Sequence, residues 1–442
     1  MKHKWHTVFA FWLTAPLLWA QAAPVAHPLS LQEAIQKALQ ANLSVKVAGT
    51  QIDEAAGTRQ RRLSALLPHV TGAQVTSYQN RNLRAFGLSL PIIPEVIGPF
   101  SNYDWRVFGS QTLIDRQAYH SLKASDFQQD ATKLSYQDTR DLVIRQTAGL
   151  YLDAESAQAE VDAAESRVTT SKTLLKLAQD QHDSGVATGV DVVRARVQLQ
   201  RDEQNLLVAR DSYDTSILAL QRFVGIEPGE PMTLADRLAF HPADIPNVAE
   251  ALQSALQSRP DYRALFAQKE SLVEQQKASR ARYLPRLGVD GNYGALGRSY
   301  GDMPGIGLIE GTATITIFDR DRKGEAEEIT SRVNRVDAQI ADLRRGVQQE
   351  LRKAILDLQS AKQQVSVTQS GVELAQVELG LAQDRFHSGL GDNVEVVIAQ
   401  SSLQSAQDDH ILALARYSDA TMALARAMGG TEKNYQSYLG GN

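Results

Sequence analysis

The sequence of 442 residues contains no cysteine. This absence excludes disulfides, thiolate metal sites, cysteine nucleophiles and a lipid anchor on an N-terminal cysteine. Aromatic residues make up only 6 % of the chain, so few large side chains are available for a deep core. The 46 basic and 51 acidic residues give a net charge of −5, which provides no basic surface for nucleic acid.

Patterns that carry catalysis or bind cofactors are also missing. After residue 22 the histidines are scattered from His27 to His410 without the spacing of metal ligands. No nucleophile elbow, phosphate-binding loop or specific pair of histidine and acid occurs. We therefore expect no metal, no cofactor and no enzymatic activity.

The sequence has no apolar run long enough to span a membrane as a helix, and its longest apolar run is at the N-terminus. Lys2 and Lys4 precede an apolar segment that ends at Trp19 and is followed by Ala20-Gln21-Ala22. This order predicts a cleaved secretory signal peptide over residues 1–22. The alternative, a membrane anchor, needs about 20 apolar residues, more than the segment has. With no later run long enough to span a bilayer, we expect the protein in the periplasm, outside the cell, or in the outer membrane as strands.

Proline is absent from residues 100–227 and 305–442, which permits very long helices. Good helix formers such as Ala, Gln, Leu, Glu and Arg dominate both tracts. A heptad stripe typical of a coiled coil runs through Val192, Leu199, Leu206, Tyr213 and Leu220. A helix from Arg116 to about His182 would be about 100 Å long, which predicts a rod, a fibre or a tube.

An internal repeat organises the whole chain. The segment LAQDQHDSGVATGVDVV from Leu177 to Val193 matches LAQDRFHSGLGDNVEVV from Leu381 to Val397 without gaps. We predict a first repeat over residues 23–228, with a helix, a β-hairpin at about 69–113 and a long helical hairpin at about 116–224. The second repeat, residues 229–442, has a helix, a β-hairpin at about 286–318, a long helical hairpin at about 320–428 and a short tail. The fold class is thus mainly α with a small β portion, in two tandem structural repeats.

The segments between the helices read as strands of about ten residues, and in the first repeat they are 69–78 and 104–113. In the second repeat they are 287–295 and 308–318, and the latter alternates apolar and mostly polar positions, as outer-membrane strands do. A membrane girdle is predicted at Tyr103, Trp105, Phe108 and Tyr293. An ordinary hairpin packed on helices is the alternative. An insertion in the first repeat, around Pro91-Ile92-Ile93-Pro94, is expected to lengthen a loop.

Four strands cannot close a barrel, and open strand edges are not tolerated in lipid. Three chains would supply twelve strands, so the membrane interpretation requires a cyclic oligomer.

Two turns end the long helices at Gly185 and Gly389, where a positive φ favours glycine. Asp191 and Glu395 follow at the start of the returning helices, where a carboxylate favours the positive end of the helix dipole. Helix capping is therefore one explanation for both acids.

With its duplicated helices and hairpins and its secretory signal, the chain resembles the TolC family of outer-membrane efflux proteins, the outer membrane factors. The motifs are Leu29-Ser30-Leu31-Gln32-Glu33-Ala34, the Leu-Pro before each first strand, and the glycine turns followed by Asp191-Val192-Val193 and Glu395-Val396-Val397. The resemblance implies a homotrimer in the outer membrane, whose long helical hairpins form a periplasmic tunnel and whose twelve strands form a barrel. Such a duct of a tripartite efflux or type I secretion system is passive. An inner-membrane transporter drives export through a periplasmic adaptor.

The resemblance also assigns roles to residues. Adaptor contacts fall at Gly185, Val186, Gly389 and Leu390, and an acidic ring at the tunnel entrance falls at Glu395. A second acidic ring of some members falls at Ile398, so that level is expected to be apolar. The tyrosine and arginine that latch the entrance in some members are Phe386 and Gly391 here, while Asp191 remains as a possible acceptor. Hydrophobic closure is the expected substitute.

Two other classes share some of these features. A periplasmic coiled-coil adaptor or scaffold would show one helical hairpin flanked by β domains rather than a duplicated frame. A secreted helical toxin or fibre protein would carry a long apolar hairpin instead of amphipathic strands. The exported substrate is not readable from the sequence.

Overall fold

The computed structural model describes residues 27–87 and 91–432, so the predicted signal peptide lies outside the described residues. The first half of the chain runs from a short strand through two helices and a β-hairpin into a long helical hairpin. Its elements are β1 (His27–Leu29), α1 (Leu31–Ala41), α2 (Leu43–Ser64), β2 (His69–Asn82), β3 (Val96–Ile114), α3 (Arg116–Asp183) and α4 (Gly189–Val224).

The second half repeats this order. Its elements are β4 (Met232–Leu234), α5 (Val248–Ser258), α6 (Pro260–Ala281), β5 (Arg286–Gly297), β6 (Gly305–Thr314), α7 (Asp321–His387) and α8 (Asn393–Met428). The predicted fold class, mainly helical with two tandem repeats and two β-hairpins, is confirmed. Helices α3 and α7 have 68 and 67 residues and are each about 100 Å long.

Local sequence sets the ends of these helices. Asp115 caps α3, because its side chain accepts a hydrogen bond of 2.9 Å from the backbone N–H of Ala118. Gly225 follows α4 with φ of 78°, and Gly429 follows α8 with φ of 80°, conformations that favour glycine. The long hairpins are thus bounded by residues suited to starting and stopping helices.

The four longer strands form one antiparallel sheet in the order β2-β3-β5-β6, so the pairing of β3 with β5 joins the two repeats. The prediction of a strand as far as Phe318 was wrong, since β6 ends at Thr314, opposite Arg286. The next partner along β5 would be Pro285, which has no N–H to donate, so the ladder stops there.

The first hairpin has longer strands than predicted. β2 continues to Asn82 and β3 begins at Val96, so part of the inserted stretch extends the strands instead of the loop. The pairing passes a register shift between Gln79 and Arg81 before it ends. The prolines Pro91 and Pro94 lie in the connection between the two strands, of which residues 88–90 are outside the described residues.

Two apolar clusters lie where the short helices pack against the long ones. In the first half, Ile35 of α1, Tyr151 of α3 and Leu220 of α4 are almost fully buried together. In the second half, Leu351 and Leu358 of α7 pack with Tyr417 and Leu424 of α8. Further along the hairpins the buried residues are mostly alanines, because the two helices of each pair approach closely.

The hydroxyl of Tyr417 secures the loop before α5. It donates to the carbonyl of His241 at 3.0 Å and accepts from the N–H of Ala243 at 2.8 Å. At the equivalent place in the first repeat, Tyr213 makes no hydrogen bond with the described residues through its hydroxyl.

Tyr417→Phe is expected to lower the free energy of unfolding by about 0.5–1.5 kcal/mol, because two partly buried backbone groups lose their partner. Tyr213→Phe serves as the matched control and should change it by less than about 0.5 kcal/mol. Urea denaturation of the detergent-solubilised protein measures both. Equal effects of the two substitutions would contradict the assigned role of the Tyr417 hydroxyl.

Candidate functional site: the tips of the two helical hairpins

The two hairpin tips are built by the same turn. At the end of α3 the N–H of Val186 bonds to the carbonyl of Gln181 at 2.8 Å, and Gly185 has φ of 80°. At the end of α7 the N–H of Leu390 bonds to the carbonyl of Arg385 at 2.9 Å, and Gly389 has φ of 71°. The turns predicted at both glycines are therefore present, and each leaves one large apolar side chain exposed. These side chains are Val186, 64 % exposed, and Leu390, 76 % exposed.

The tips lie against one another. A Cβ added to Gly389 would be 3.8 Å from Cγ1 of Val186. Behind the turns, Phe386 is buried in an apolar cluster to which all four long helices contribute. The other buried members are Leu174, Ala178, Ala195, Leu379, Ala382, Val396 and Ala399.

Two buried amide side chains connect the hairpins at this level. Gln181 of α3 donates through Nε2 to the carbonyl of Phe386 at 3.0 Å. Asn393, at the start of α8, donates through Nδ2 to the carbonyl of Asp191 at 2.9 Å. Because each bond crosses from one hairpin to the other, the pair holds the tips together within one chain.

Asp191 has a local structural role. Its Oδ2 accepts from the N–H and the hydroxyl of Thr188 at 3.0 and 2.7 Å, and its Oδ1 accepts from Arg194 at 3.2 Å. The hydrogen bond from the Thr188 hydroxyl is the main cause that lowers the pKa of Asp191 below its usual value. The carboxylate is thus already bonded inside its own turn, as the capping explanation expects.

Glu395 is differently placed. The cap of α8 is Asp392, whose side chain accepts from the N–H groups of Val394 and Glu395 at 2.9 and 3.2 Å. The side chain of Glu395 is instead half-exposed and lies 3.3 Å from Nε of Arg385. Ile398, almost one helical turn later, is also exposed. An acid next to an apolar residue is therefore presented along this part of α8.

The structure shows the surroundings of Phe386 and Gly391, the two positions that the resemblance assigns to the latch. Phe386 is buried, so an aromatic ring packs where the resemblance would place a tyrosine. A Cβ on Gly391 would come within 3.2 Å of both the Arg385 side chain and the Glu395 carboxylate. The guanidinium next to Glu395 in this chain is that of Arg385, six residues before Gly391.

Sequence reasoning did not single out Arg385, Asn393 or Gln181. The repeat alignment offered one signal, because Arg385 replaces Gln181 at the corresponding place in the second copy. The contacts of Asn393 and Gln181 involve backbone carbonyls of the other hairpin, and such acceptors leave no sequence pattern.

The predicted girdle residues do not all share one face of the sheet. Val107 lies opposite Tyr293, so Tyr103, Trp105 and Tyr293 lie on one face. Phe108 is on the other face, where the Arg106 guanidinium carbon is 5.3 Å from its ring centre. The prediction that Phe108 joins this girdle was wrong, because Phe108 is three positions after Trp105 and side chains alternate along a strand.

Membrane-spanning helices and metal sites are both absent from the described residues. None of the described helices combines the length and the apolar character needed to cross a membrane. Within residues 27–87 and 91–432, no group of three or more His, Asp or Glu side chains is arranged to hold a metal ion.

The fold and the paired tips define a class of elongated proteins with two repeats, in which one small sheet continues into long helical hairpins. The sequence model of the outer membrane efflux protein family matches residues 34–226 and 251–430. The chain belongs to this family.

Known proteins agree with this membership. The probable efflux pump outer membrane protein TtgC of Pseudomonas putida is 24 % identical over 421 residues, which cover 91 % of this chain and 84 % of TtgC. The alkaline protease secretion protein AprF of Pseudomonas aeruginosa is 21 % identical over 72 % of this chain and 66 % of its own length. The Campylobacter jejuni CmeC outer membrane channel has a similar fold, with a TM-score of 0.77 at 17 % identity, over 92 % of this chain and 89 % of CmeC.

The link between the tips can be tested by Asn393→Ala. Loss of its bond to the Asp191 carbonyl is expected to cost about 1–2 kcal/mol and to let the tips separate. Since the chain has no cysteine, spin labels on Val186→Cys and Leu390→Cys can report the distance between the two tips. The distance distribution should broaden in the Asn393→Ala variant.

Gln369→Ala, at an exposed amide on the same hairpin, is the control and should leave the distribution unchanged. Identical distributions in all three proteins would show that Asn393 does not hold the tips together.

Proposed function

We propose that this protein is the outer-membrane exit duct of a tripartite efflux or type I secretion system. Family membership carries the proposal, because outer membrane efflux proteins are non-enzymatic channels. The names of TtgC and AprF refer to an efflux pump and to protease secretion. The duct is passive, and an inner-membrane transporter acts on it through a periplasmic adaptor. Because relatives named for such different cargo match this chain, we assign cargo selection to the transporter.

The sheet supports a homotrimer. Its outer strands are β2 and β6, with 14 and 10 residues, and neither has a partner on its outer side among the described residues. One face carries Trp105 and Tyr293, whereas the other carries Asp104 and Arg106. Three chains that pair β6 with the β2 of the next chain would satisfy both edges in a twelve-stranded barrel, with the aromatic face toward lipid.

The long helices support the same assembly. Along α7 an apolar stripe at heptad spacing is exposed, formed by Val367, Leu374, Val377 and Leu381. On α4, Val193, Val197, Leu207 and Val208 are exposed as well. In a ring of three chains each α7 stripe would pack on the α4 of its neighbour, which would close a helical tunnel.

The hairpin tips are the proposed periplasmic end. Val186 and Leu390, with Gly185 and Gly389 at their turns, offer an exposed apolar surface for the adaptor. Glu395 and Ile398 would face the tunnel entrance, where three copies of the carboxylate attract cations. The Arg385 guanidinium beside each carboxylate reduces that attraction.

Leu374→Glu with Val377→Glu tests the trimer. Burial of unpaired charges at a helix contact costs about 3–5 kcal/mol, so the trimer should dissociate to monomers at micromolar concentration. Light scattering in detergent measures the oligomeric mass. The control, Gln369→Glu with Gln376→Glu, adds the same charge on another exposed face of α7 and should remain trimeric. A trimer that tolerates both changes would contradict this interface.

Ion selectivity tests the entrance. At about 6 Å in water each of the three carboxylates attracts a cation by about 0.7 kcal/mol, so Glu395→Ala should lower the cation preference by at least about threefold. Arg385→Ala should raise the preference, because it leaves the carboxylate unneutralised. Reversal potentials in planar bilayers under a KCl gradient measure both. If neither substitution changes the reversal potential, Glu395 does not line the path.

A further inference from the structure

Exposed basic side chains are concentrated where the long helices meet the sheet. Arg116 begins α3 two residues after β3 ends, and Arg280 lies in the last turn of α6, just before β5. Arg320 and Lys323 stand at the start of α7. All four are exposed, in a chain whose net charge is negative. We call Arg116, Arg280, Arg320 and Lys323 the basic collar.

The collar lies on the side of the helices opposite to a groove of about 620 Å³, which residues of α2, α3, α6 and α7 line together. In the proposed tunnel we assign the groove to the inner side and the collar to the outer side. On α3 the groove is lined by Gln117, Ser121 and Gln128. Arg116, Tyr119 and Lys123 are three and four residues apart and share another face of the helix, turned away from the groove.

The acids nearest to the collar are already engaged. Asp115 pairs with Arg286 at 2.9 Å, and Asp319 pairs with Arg282 at 2.9 Å. Asp321 lies 3.6 Å from Arg282, and Glu327 lies 4.0 Å from Lys323, which already has an ion pair within the chain. The guanidinium groups of Arg116 and Arg320, each next in sequence to one of these acids, therefore have no ion pair with any described residue.

A third acid on this face, Glu274, is buried beneath basic groups. It bonds to His120 at 2.7 Å and Lys277 at 2.8 Å, and Lys123 is 3.5 Å away. Burial alone would raise the pKa of Glu274, but the bonds from Lys277 and His120 outweigh it and hold the pKa at about 2. One carboxylate thus lies among two lysines and a histidine, so Glu274 is already neutralised within the chain.

Helix electrostatics does not account for the collar. Arg280 lies at a helix C-terminus, where a cation is favourable, but Arg116 and Arg320 lie at helix N-termini, where a cation is unfavourable. Lys323, in the first turn of α7, meets the same repulsion. The arrangement recurs, since Asp115-Arg116 and Asp319-Arg320 begin the long helices of both repeats. An anion outside the chain would compensate the charges of Arg116 and Arg320.

We propose that the basic collar binds the headgroup phosphates of anionic glycerophospholipids in the periplasmic leaflet of the outer membrane. This inference rests on the proposed function, which places the sheet in that membrane. Arg116 follows the end of β3 by two residues and Arg320 follows the end of β6 by six, so both lie where the helices meet the sheet, next to the expected headgroup layer. Tyr119, 54 % exposed on the same face as Arg116, is a residue type enriched at this level.

The test uses the full-length protein in detergent with added phosphatidylglycerol. The lipid should raise the midpoint of thermal unfolding of the wild-type protein, and phosphatidylcholine should raise it less. In the variant Arg116→Gln, Arg320→Gln, Lys323→Gln, the phosphatidylglycerol concentration for half-maximal stabilisation should rise about tenfold. Inorganic phosphate at the same concentration should not reproduce the stabilisation, which separates a lipid from a soluble anion.

The matched control is Lys172→Gln, Lys176→Gln, Lys362→Gln, which removes three exposed charges from the helical hairpins far from the sheet. It should respond to lipid as the wild type does. Equal lipid dependence in the collar variant, or equal stabilisation by free phosphate, would overturn the proposal. The mass and the ion conductance of the same samples distinguish this inference from the proposed function. A conducting trimer without lipid preference overturns this inference alone. A wild-type protein that forms no trimer overturns the proposed function as well.

Discussion

The close packing of α3 on α4 and of α7 on α8 is the contact on which the other features depend. From the middle of the hairpins to their tips, this contact is formed by small side chains. Examples are Ala164, Ala178, Ala209 and Ala382, all nearly buried. Small residues let helix axes approach closely, but they cover only a narrow strip of each helix. A wall of this thickness leaves further apolar strips uncovered, and the exposed Leu374 and Val377 belong to one of them. In our proposal the assembly of several chains follows from the thinness of each wall.

Much of this architecture could be predicted from the repeat and the glycine turns. Gly185 and Gly389 adopt the positive φ that the alignment indicated, and α3 starts at Arg116 as expected. Strand ends were predicted less well, because a strand continues only as far as its partner can pair. Pro285 ends the pairing of β6 at Thr314, and this depends on a register that no single strand contains. The position of Phe108 was wrong for a simpler reason, since residues three apart on a strand point to opposite faces.

The two repeats have the same frame but different polar contacts. Arg426 is buried 3.8 Å from Asp141 of α3, whereas the corresponding Arg222 is exposed at the end of α4. Burial raises the pKa of Asp141, although Arg426 and a backbone hydrogen bond oppose it. The difference arises because the end of the second repeat packs on the first, while the end of the first packs on its own α1. Two similar sequences in one chain therefore reach different surroundings, and only the structure reveals which charges become buried.

The hairpin tips combine two kinds of contact that respond differently to the solvent. Gln181 and Asn393 donate from amides to backbone carbonyls, and neither partner titrates between acid and base. These bonds are also buried, so salt screens them little. The pair of Arg385 with Glu395 is half-exposed and ionic, so salt weakens it. A change in ionic strength should therefore alter the charge presented at the tip without loosening the link between the hairpins. The buried ring of Phe386 has no hydroxyl, so the packing behind the turns does not depend on the charge of Arg385 and Glu395. In our proposal, closure and electrostatics at the entrance are therefore separate properties.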